Sequence, residues 1–212
     1  MRAFCWTLIV LLSSSVSLAN LPAKSSEKQL FELLNPINSF SANFNQLLID
    51  QKGQSLQTLS GVLHGQKPDK IYWTVFEPAA QTIVSNGSHL WLYDPDLEQV
   101  IIEPYTNNQE ANPISLLLGD PKQLSENFKL LQQNNLTGST LQFLLKPVKL
   151  NSLYTHLTLE FKNGILSAIS FADNLGQTTT LVLTEFTLNP VFKDNFFTFQ
   201  IPLGVDVVNH VH

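Results

Sequence analysis

The sequence predicts a mainly β protein, with an antiparallel sheet of about ten or eleven strands that curls or closes on itself. Short segments alternate apolar and polar residues, as Phe40, Ala42 and Phe44 do with their polar neighbours, and this period of two is typical of strands. Turn sequences such as Asn86-Gly87 separate these segments at intervals of about 8–12 residues. No internal repeat or linker divides the chain, so the exported part is expected to form one domain.

The individual elements follow from these local patterns. Ser26 with Gln29 three residues later predicts the start of a helix that ends before Pro36. Asn112-Pro113 predicts the start of a short apolar helix over residues 114–118, and the sequence leaves residues 125–131 as either a helix or the start of a strand. The predicted strands are 40–48, 54–66, 71–76, 82–85, 89–93, 99–105, 141–145, 154–161, 165–171, 178–188 and 196–201.

The N-terminus has the features of an export signal. Arg2 supplies a positive charge, residues 3–12 are apolar, and residues 17–19 place small side chains at a cleavage site. The apolar run of about ten residues is too short to span a bilayer, which takes about 20. We therefore expect a signal peptide at residues 1–19, a mature domain at residues 20–212 and a periplasmic location.

The composition of the mature chain argues against several classes of function. Removing residues 1–19 removes the only cysteine and the only arginine, and leaves 11 lysines against 17 acidic residues, a net charge of −6. Such a chain has no thiol chemistry and is poorly suited to nucleic acid. It also has no run of basic residues that would mark an anionic lipid surface.

No catalytic or metal motif stands out, so we expect neither an enzyme nor a cofactor. The chain has no Gly-x-Ser-x-Gly elbow and no glycine-rich phosphate loop before a helix. The histidines of the predicted strands are isolated from one another, and His210 and His212 lie at the chain end, where two ligands make a weak site. Asp94 and Asp96 flank a proline and are better explained as turn residues than as an acid–base pair.

Apolar residues occupy both faces of two predicted strands. Ile71, Trp73 and Val75 share one face of strand 71–76, the opposite face is also largely apolar, and the strand around Trp91 repeats this pattern. Antiparallel sheets usually expose one face to water. The pattern therefore fits a packed sandwich or barrel core, or a sheet that surrounds a binding cavity with residues 114–118 as a lid or a plug.

Taken in order, several segments resemble the periplasmic outer-membrane lipoprotein carrier (LolA) family. No single segment is diagnostic, but their number, order and spacing behind a signal peptide are specific. The resemblance covers essentially the whole mature chain. The matching segments are 40–46, 61–63, 67–73, 84–87, 90–95, 98–99, 112–113, 197–199 and 202–205.

The resemblance implies an incomplete barrel of antiparallel strands covered by a helical lid, in a monomeric carrier. It implies that the protein takes acylated lipoproteins from an inner-membrane ABC transporter and delivers them to an outer-membrane receptor lipoprotein. A binding module for another periplasmic lipid or glycolipid is the alternative, and a lipid hydrolase is a third, weaker reading. The residues expected to line the acyl-chain cavity are Ile71, Trp73, Val75 and Trp91, and those expected to form the lid are Ile114, Leu116 and Leu117.

One position departs from the family pattern. The family usually has an arginine before the proline of its second turn, linked to lid closure, and this chain has Lys67 there. An ammonium group offers three donors without the fixed planar geometry of a guanidinium. We therefore expect Lys67 to be a weak latch that holds the lid shut, with a solvated turn lysine as the alternative.

Overall fold

A single open sheet dominates the protein. The computed structural model describes residues 23–105, 114–119, 121–150 and 152–211, without the side chains of residues 23–25, 115–116 and 121–123. In these residues the elements are α1 (Ala23–Leu34), β1 (Ser39–Ile49), β2 (Ser55–Gln66), β3 (Lys70–Val75), β4 (Gln81–Asn86), β5 (His89–Asp94), β6 (Gln99–Pro104), α2 (Ser115–Leu118), α3 (Pro121–Asn127), β7 (Phe128–Leu136), β8 (Thr140–Pro147), β9 (Tyr154–Lys162), β10 (Ile165–Asp173), β11 (Thr178–Leu188) and β12 (Asp206–Asn209).

The strand order is β12-β6-β5-β4-β3-β2-β1-β11-β10-β9-β8-β7. The first strand therefore lies in the middle of the sheet, between β2 and β11. Among the described residues β12 and β7 are the two edges, so the sheet does not close into a barrel. Neighbouring strands are antiparallel except for the parallel pair β12–β6. This confirms a mainly β fold with an open, mostly antiparallel sheet.

Strand register divides the sheet into an inner face, which carries Phe40 and Phe44, and an outer face. Directly paired residues of antiparallel strands share a face, so Leu63 and Trp73, which are paired with each other, join this inner face through β2. Inner-face side chains of β1–β3 and β7–β11 form one buried apolar cluster with residues of all three helices. The helices thus cover the inner face of the sheet.

Two glycines make room for the aromatic residues of β1. Gly61 lies opposite Phe44 and Gly65 lies opposite Phe40 in the β1–β2 pair. A side chain at either glycine would overlap the ring across from it, since a Cβ atom at Gly61 would lie 2.8 Å from the Phe44 ring. The aromatic rings therefore occupy the space that side chains at these glycines would need.

A second apolar cluster lies on the outer face, beneath the segment between β11 and β12. Phe192 and Phe196 from this segment pack on His64 with ring centroids 5.8 and 5.2 Å away. Val84 and Val100 beneath the segment are fully buried. This part of the sheet is thus covered on both faces, which explains why both faces of its strands are apolar in the sequence.

Three expectations about the strands are corrected by the structure. The sheet has 12 strands, since the segment 125–131 that the sequence left open ends α3 and starts β7, and residues 206–209 add the unpredicted β12. Residues 196–201 do not form a strand, because their aromatic side chains pack onto the outer face through turns that include the Phe196 N–H bond to the Lys193 carbonyl. The chain crosses the sheet in this segment, so β12 enters beside β6 in the same direction and the sheet is not purely antiparallel.

Candidate functional site

The inner face of β3 forms a continuous apolar wall. Ile71 and Val75 are 2% and 8% exposed and belong to the main buried cluster. Trp73 lies between them and meets the Phe44 ring edge-on, with centroids 5.4 Å apart and planes at 77°. The structure therefore brings together three of the four residues predicted to line a cavity.

The fourth predicted wall residue, Trp91, lies on the opposite face. It pairs with Val84, which pairs with Tyr72, and paired residues share a face. Tyr72 is adjacent to Trp73 along β3 and points to the other side of the sheet. The expectation that Trp91 belongs to the same wall is therefore corrected, and its ring instead neighbours His89, with centroids 5.7 Å apart.

The short helix α2 packs against this wall. Ile114, Leu117 and Leu118 are 1%, 2% and 1% exposed, and they belong to the same cluster as Ile71. The side chain of Leu116, the third predicted lid residue, lies outside the described side chains. The side chains of Ile114, Leu117 and Leu118 thus belong to the buried cluster of the inner face, and their role as a lid stays a prediction.

Contact between α2 and the sheet depends on Gly65. A methyl group at position 65 would lie 2.8 Å from the Leu118 Cδ2 atom and would also overlap the Phe40 ring. Close approach of this kind is what a glycine inside a strand permits. Gly65 and Leu118 were not singled out from the sequence, although an isolated glycine within a strand pattern is a signal for such an approach.

The wall contains one polar atom without a partner. The Trp73 Nε1 atom is buried and has no hydrogen-bond acceptor among the described residues. A buried donor without an acceptor carries a desolvation cost of about 1–3 kcal/mol. A ligand that brought an oxygen atom to this position would recover that cost.

The predicted latch lies in the turn between β2 and β3. The Lys67 backbone N–H donates to the Asn38 carbonyl at 2.8 Å, and the following peptide bond to Pro68 is cis. The Lys67 side chain is partly buried. Its role as a latch stays a prediction.

The same turn is connected to the start of the segment that leads to α2. Burial raises the pKa of Asp69, and a hydrogen bond from Tyr105 partly offsets that rise. Burial, the Asp69 charge and this hydrogen bond raise the pKa of Tyr105 to about 12. The Ser85 hydroxyl also donates to the Asp69 carbonyl at 2.9 Å. Asp69 and Tyr105 were missed in the sequence because their contact joins residues from different turns.

The inner face of the sheet presents an apolar surface. Within the part of the chain that the structure describes, no three His, Cys, Asp or Glu residues are grouped as metal ligands would be. None of the described helices is long and apolar enough to cross a bilayer. The described residues thus show an apolar sheet face with short helices packed on it.

Comparisons with known proteins agree with this geometry. Residues 35–200 match the family model described as "Outer membrane lipoprotein carrier protein LolA". A protein of Hahella chejuensis named outer-membrane lipoprotein carrier protein is 38% identical over 83% of this chain and 84% of its own length. A protein of the same name from Azotobacter vinelandii is 34% identical over 94% of this chain and 97% of its own length.

A solved structure shows the same fold at low sequence identity. It is an uncharacterized conserved protein from Thermus thermophilus, and it has a TM-score of 0.56 and 13% identity, covering 87% of this chain and 99% of that chain. At that identity the likeness concerns the fold alone. The family match and the curated relatives together establish that this chain belongs to the LolA family of outer-membrane lipoprotein carrier proteins.

Proposed function

We propose that this protein is a periplasmic carrier that binds the acyl chains of lipoproteins and shuttles them from the inner to the outer membrane. The observation that carries the proposal is the similarity to named lipoprotein carriers over 83% and 94% of this chain. The apolar inner face, with short helices packed on it, supports the proposal because it is a surface that acyl chains can share.

The energetics of acyl chains explain why a carrier needs such a surface. Burial of each CH₂ group is worth about 0.8 kcal/mol. A sixteen-carbon chain therefore gains on the order of 12 kcal/mol, which keeps it from leaving a membrane for water unaided. A carrier must offer comparable burial and still release its load, so its own apolar side chains must be able to replace the ligand.

In this proposal the helix α2 supplies that replacement. Ile114, Leu117 and Leu118 fill the space above Ile71 and Val75 when no ligand is bound, and acyl chains displace them. Leu116 belongs to the same helix and is included in the proposed lid. The Trp73 Nε1–H group, which lacks a partner among the described residues, would donate to an ester or amide oxygen at the head of the acyl chains.

The proposal extends to location and partners. Residues 1–19 act as the signal peptide, and residues 20–212 form one carrier domain that works without catalysis. The load is an acylated lipoprotein, the donor is an inner-membrane ABC transporter and the acceptor is an outer-membrane receptor lipoprotein. Depletion of the protein should make outer-membrane lipoproteins accumulate in the inner membrane, and normal sorting after depletion would refute the carrier function.

A matched pair of variants tests whether the inner face holds the load. Val75→Thr places a hydroxyl on the inner wall, whereas Val182→Thr makes the same change on the outer face, where Val182 is 46% exposed. A buried hydroxyl without a partner costs about 1–3 kcal/mol. In the proposal, water reaches this hydroxyl when α2 lifts from the empty protein but not beneath a bound acyl chain, so lipoprotein binding by Val75→Thr should weaken by up to about tenfold, with no change for Val182→Thr. Equal effects of both changes would argue against the inner face.

The latch is tested by lipoprotein transfer. If Lys67 holds α2 closed, Lys67→Leu should slow release of bound lipoprotein to the receptor, because the closed empty state that follows release loses stability. Lys162→Leu, an exposed lysine at the end of β9, serves as the control. Unchanged transfer by Lys67→Leu would remove this residue from the mechanism.

Mass spectrometry of lipid that copurifies with the protein separates a lipoprotein load from another lipid or glycolipid.

A further inference from the structure

One end of the sheet carries an exposed apolar tip, formed by Val148, Leu150, Leu153 and Leu175. These side chains are 56%, 100%, 59% and 70% exposed. The first three belong to the connection between β8 and β9, and Leu175 belongs to the turn between β10 and β11. Single exposed apolar side chains are common on protein surfaces, but several of them gathered at one end of a sheet mark an interaction site.

Hydrogen bonds hold this apolar tip in position. The Asn174 Nδ2 group donates to the Ser152 carbonyl at 2.7 Å, and Ser152 itself is only 5% exposed. The Gln51 Nε2 group, from the turn between β1 and β2, donates to the Leu175 carbonyl at 2.5 Å. Three loops are thus tied to one another through side-chain amides, so the leucines are displayed on an ordered support.

Basic residues lie beside the apolar tip. Lys129 and Lys146 are both exposed and are paired directly opposite each other in the β7–β8 ladder. Like charges in such a pair destabilise a sheet, and an anionic surface would relieve the repulsion. Lys149 and Lys52 lie in the loops of the tip itself. The structure thereby gathers lysines that the sequence spaces far apart.

The acidic residues around the tip are few and mostly engaged. Asp50 accepts the backbone N–H groups of Lys52 and Gln54 through Oδ1, and Asp173 accepts those of Leu175 and Gln177 in the same way. Glu126, at the end of α3, is the remaining carboxylate close in sequence to Lys129. The named residues of the tip therefore combine exposed leucines with four lysines against three carboxylates, a small positive balance in contrast to the net negative charge of the whole chain.

We propose that the apolar tip makes transient contact with the surface of an anionic phospholipid bilayer. Side chains that combine a basic head with neighbouring leucines are suited to the boundary between lipid headgroups and acyl chains. The leucines lie on loops that connect strands and are more than half exposed, which fits insertion into a soft interface better than docking into a protein groove. The acidic remainder of the protein opposes lasting attachment, so the carrier leaves the bilayer again.

Flotation with lipid vesicles tests the proposal on the mature protein. Vesicles of phosphatidylcholine containing about a third phosphatidylglycerol are compared with pure phosphatidylcholine, at about 0.05 M salt to limit screening. We expect flotation with the anionic vesicles only. The Leu150→Ser/Leu153→Ser variant should lower the partition coefficient about tenfold, and Lys129→Gln/Lys146→Gln should lower it about as much.

Matched controls come from exposed residues elsewhere. Leu97 and Leu203 are 69% and 103% exposed, and Leu97 has Asp96 and Glu98 beside it, so Leu97→Ser/Leu203→Ser should leave flotation unchanged. Lys162→Gln/Lys193→Gln provides the control for charge. Thermal unfolding checks that every variant is folded.

Three outcomes would overturn the proposal. They are absence of flotation by the unaltered protein, equal losses in the tip variants and their controls, and tip variants that float normally but fail to deliver to a receptor protein. The last outcome would assign the apolar tip to a protein partner. Because the vesicle assay contains no lipoprotein, its failure would leave the carrier function intact, and a failed carrier assay would leave the vesicle result intact.

Discussion

Truncation of Leu118 to alanine tests whether α2 is a displaceable cover of the inner face. Leu118 is 1% exposed and lies against Gly65 on β2. If acyl chains take the place of α2, then every contact that holds α2 on the sheet competes with the ligand. Leu118→Ala should therefore lower the stability of the empty protein and strengthen ligand binding, two effects that an ordinary core residue would not combine.

The size of the effect follows from the burial of Leu118. A buried Leu→Ala change costs about 2–5 kcal/mol, and we expect this loss in the free energy of unfolding of the empty protein. Relief of about 2 kcal/mol of competition corresponds to a roughly 30-fold gain in affinity. Contacts between Leu118 and the bound chains would reduce this gain, so the dissociation constant should fall by roughly three- to thirtyfold.

Two measurements on delipidated mature protein check this prediction. Urea denaturation gives the free energy of unfolding, and titration with a fluorescent diacylated lipopeptide gives the affinity. Val84→Ala is the control, because Val84 is fully buried on the outer face. It should cost about 1–3 kcal/mol of stability without changing the affinity. Loss of stability in Leu118→Ala together with unchanged or weaker probe binding would refute the idea that ligand displaces α2.

Three further predictions concern single positions. Trp73→Phe removes the N–H group that lacks a partner among the described residues. The free energy of unfolding should change by less than about 1 kcal/mol, while the affinity for an ester-containing probe, measured by titration, should weaken about fivefold. An equal loss of affinity for a hydrocarbon probe would contradict a hydrogen bond from Trp73 to the ester. Gly65→Ala should lower the free energy of unfolding by about 1–3 kcal/mol, because a methyl group would press on Phe40 and Leu118. Faster proteolysis within residues 114–119 would show that α2 is displaced, and unchanged cleavage would contradict this displacement. Burial lowers the pKa of His64 from 6.5, so the unfolded chain binds this proton more tightly, and the free energy of unfolding should fall as the pH drops below about 6.5 until it passes the lowered pKa. Urea titrations of His64→Phe should lack this fall and keep the pH dependence that other groups cause. An unaltered pH profile in His64→Phe would exclude His64 as the source of the fall.

Much of the fold was predictable from local patterns, because strand alternation and turn chemistry are short-range properties. The period of two between Phe40 and Phe44 identifies the buried face of β1, and Asn86-Gly87 correctly marks the hairpin of β4 and β5. The placement of Ile71, Trp73 and Val75 on one face follows from the same period. These features depend on a few neighbouring residues, so the sequence is sufficient to predict them.

The face of Trp91 could not be obtained in this way. Alternation within β5 separates Trp91 from Leu90 and Leu92, but both sets are apolar, so composition does not indicate which set faces inward. The answer comes from the register of β3 with β4 and of β4 with β5, which places Trp91 with Tyr72. Register between strands is a long-range property, and a shift of one residue would reverse the assignment.

The sequence by itself determined that the chain is mainly β and that its strands carry more apolar side chains than one face of a sheet requires. It also carried the segments by which the family is recognised. Only the tertiary structure decided that β12 runs parallel to β6, that the phenylalanines after β11 cover the outer face, and that α2 lies on Gly65. The physical reason is that these features bring together residues far apart in the chain, where packing and hydrogen-bond pairing outweigh local propensity.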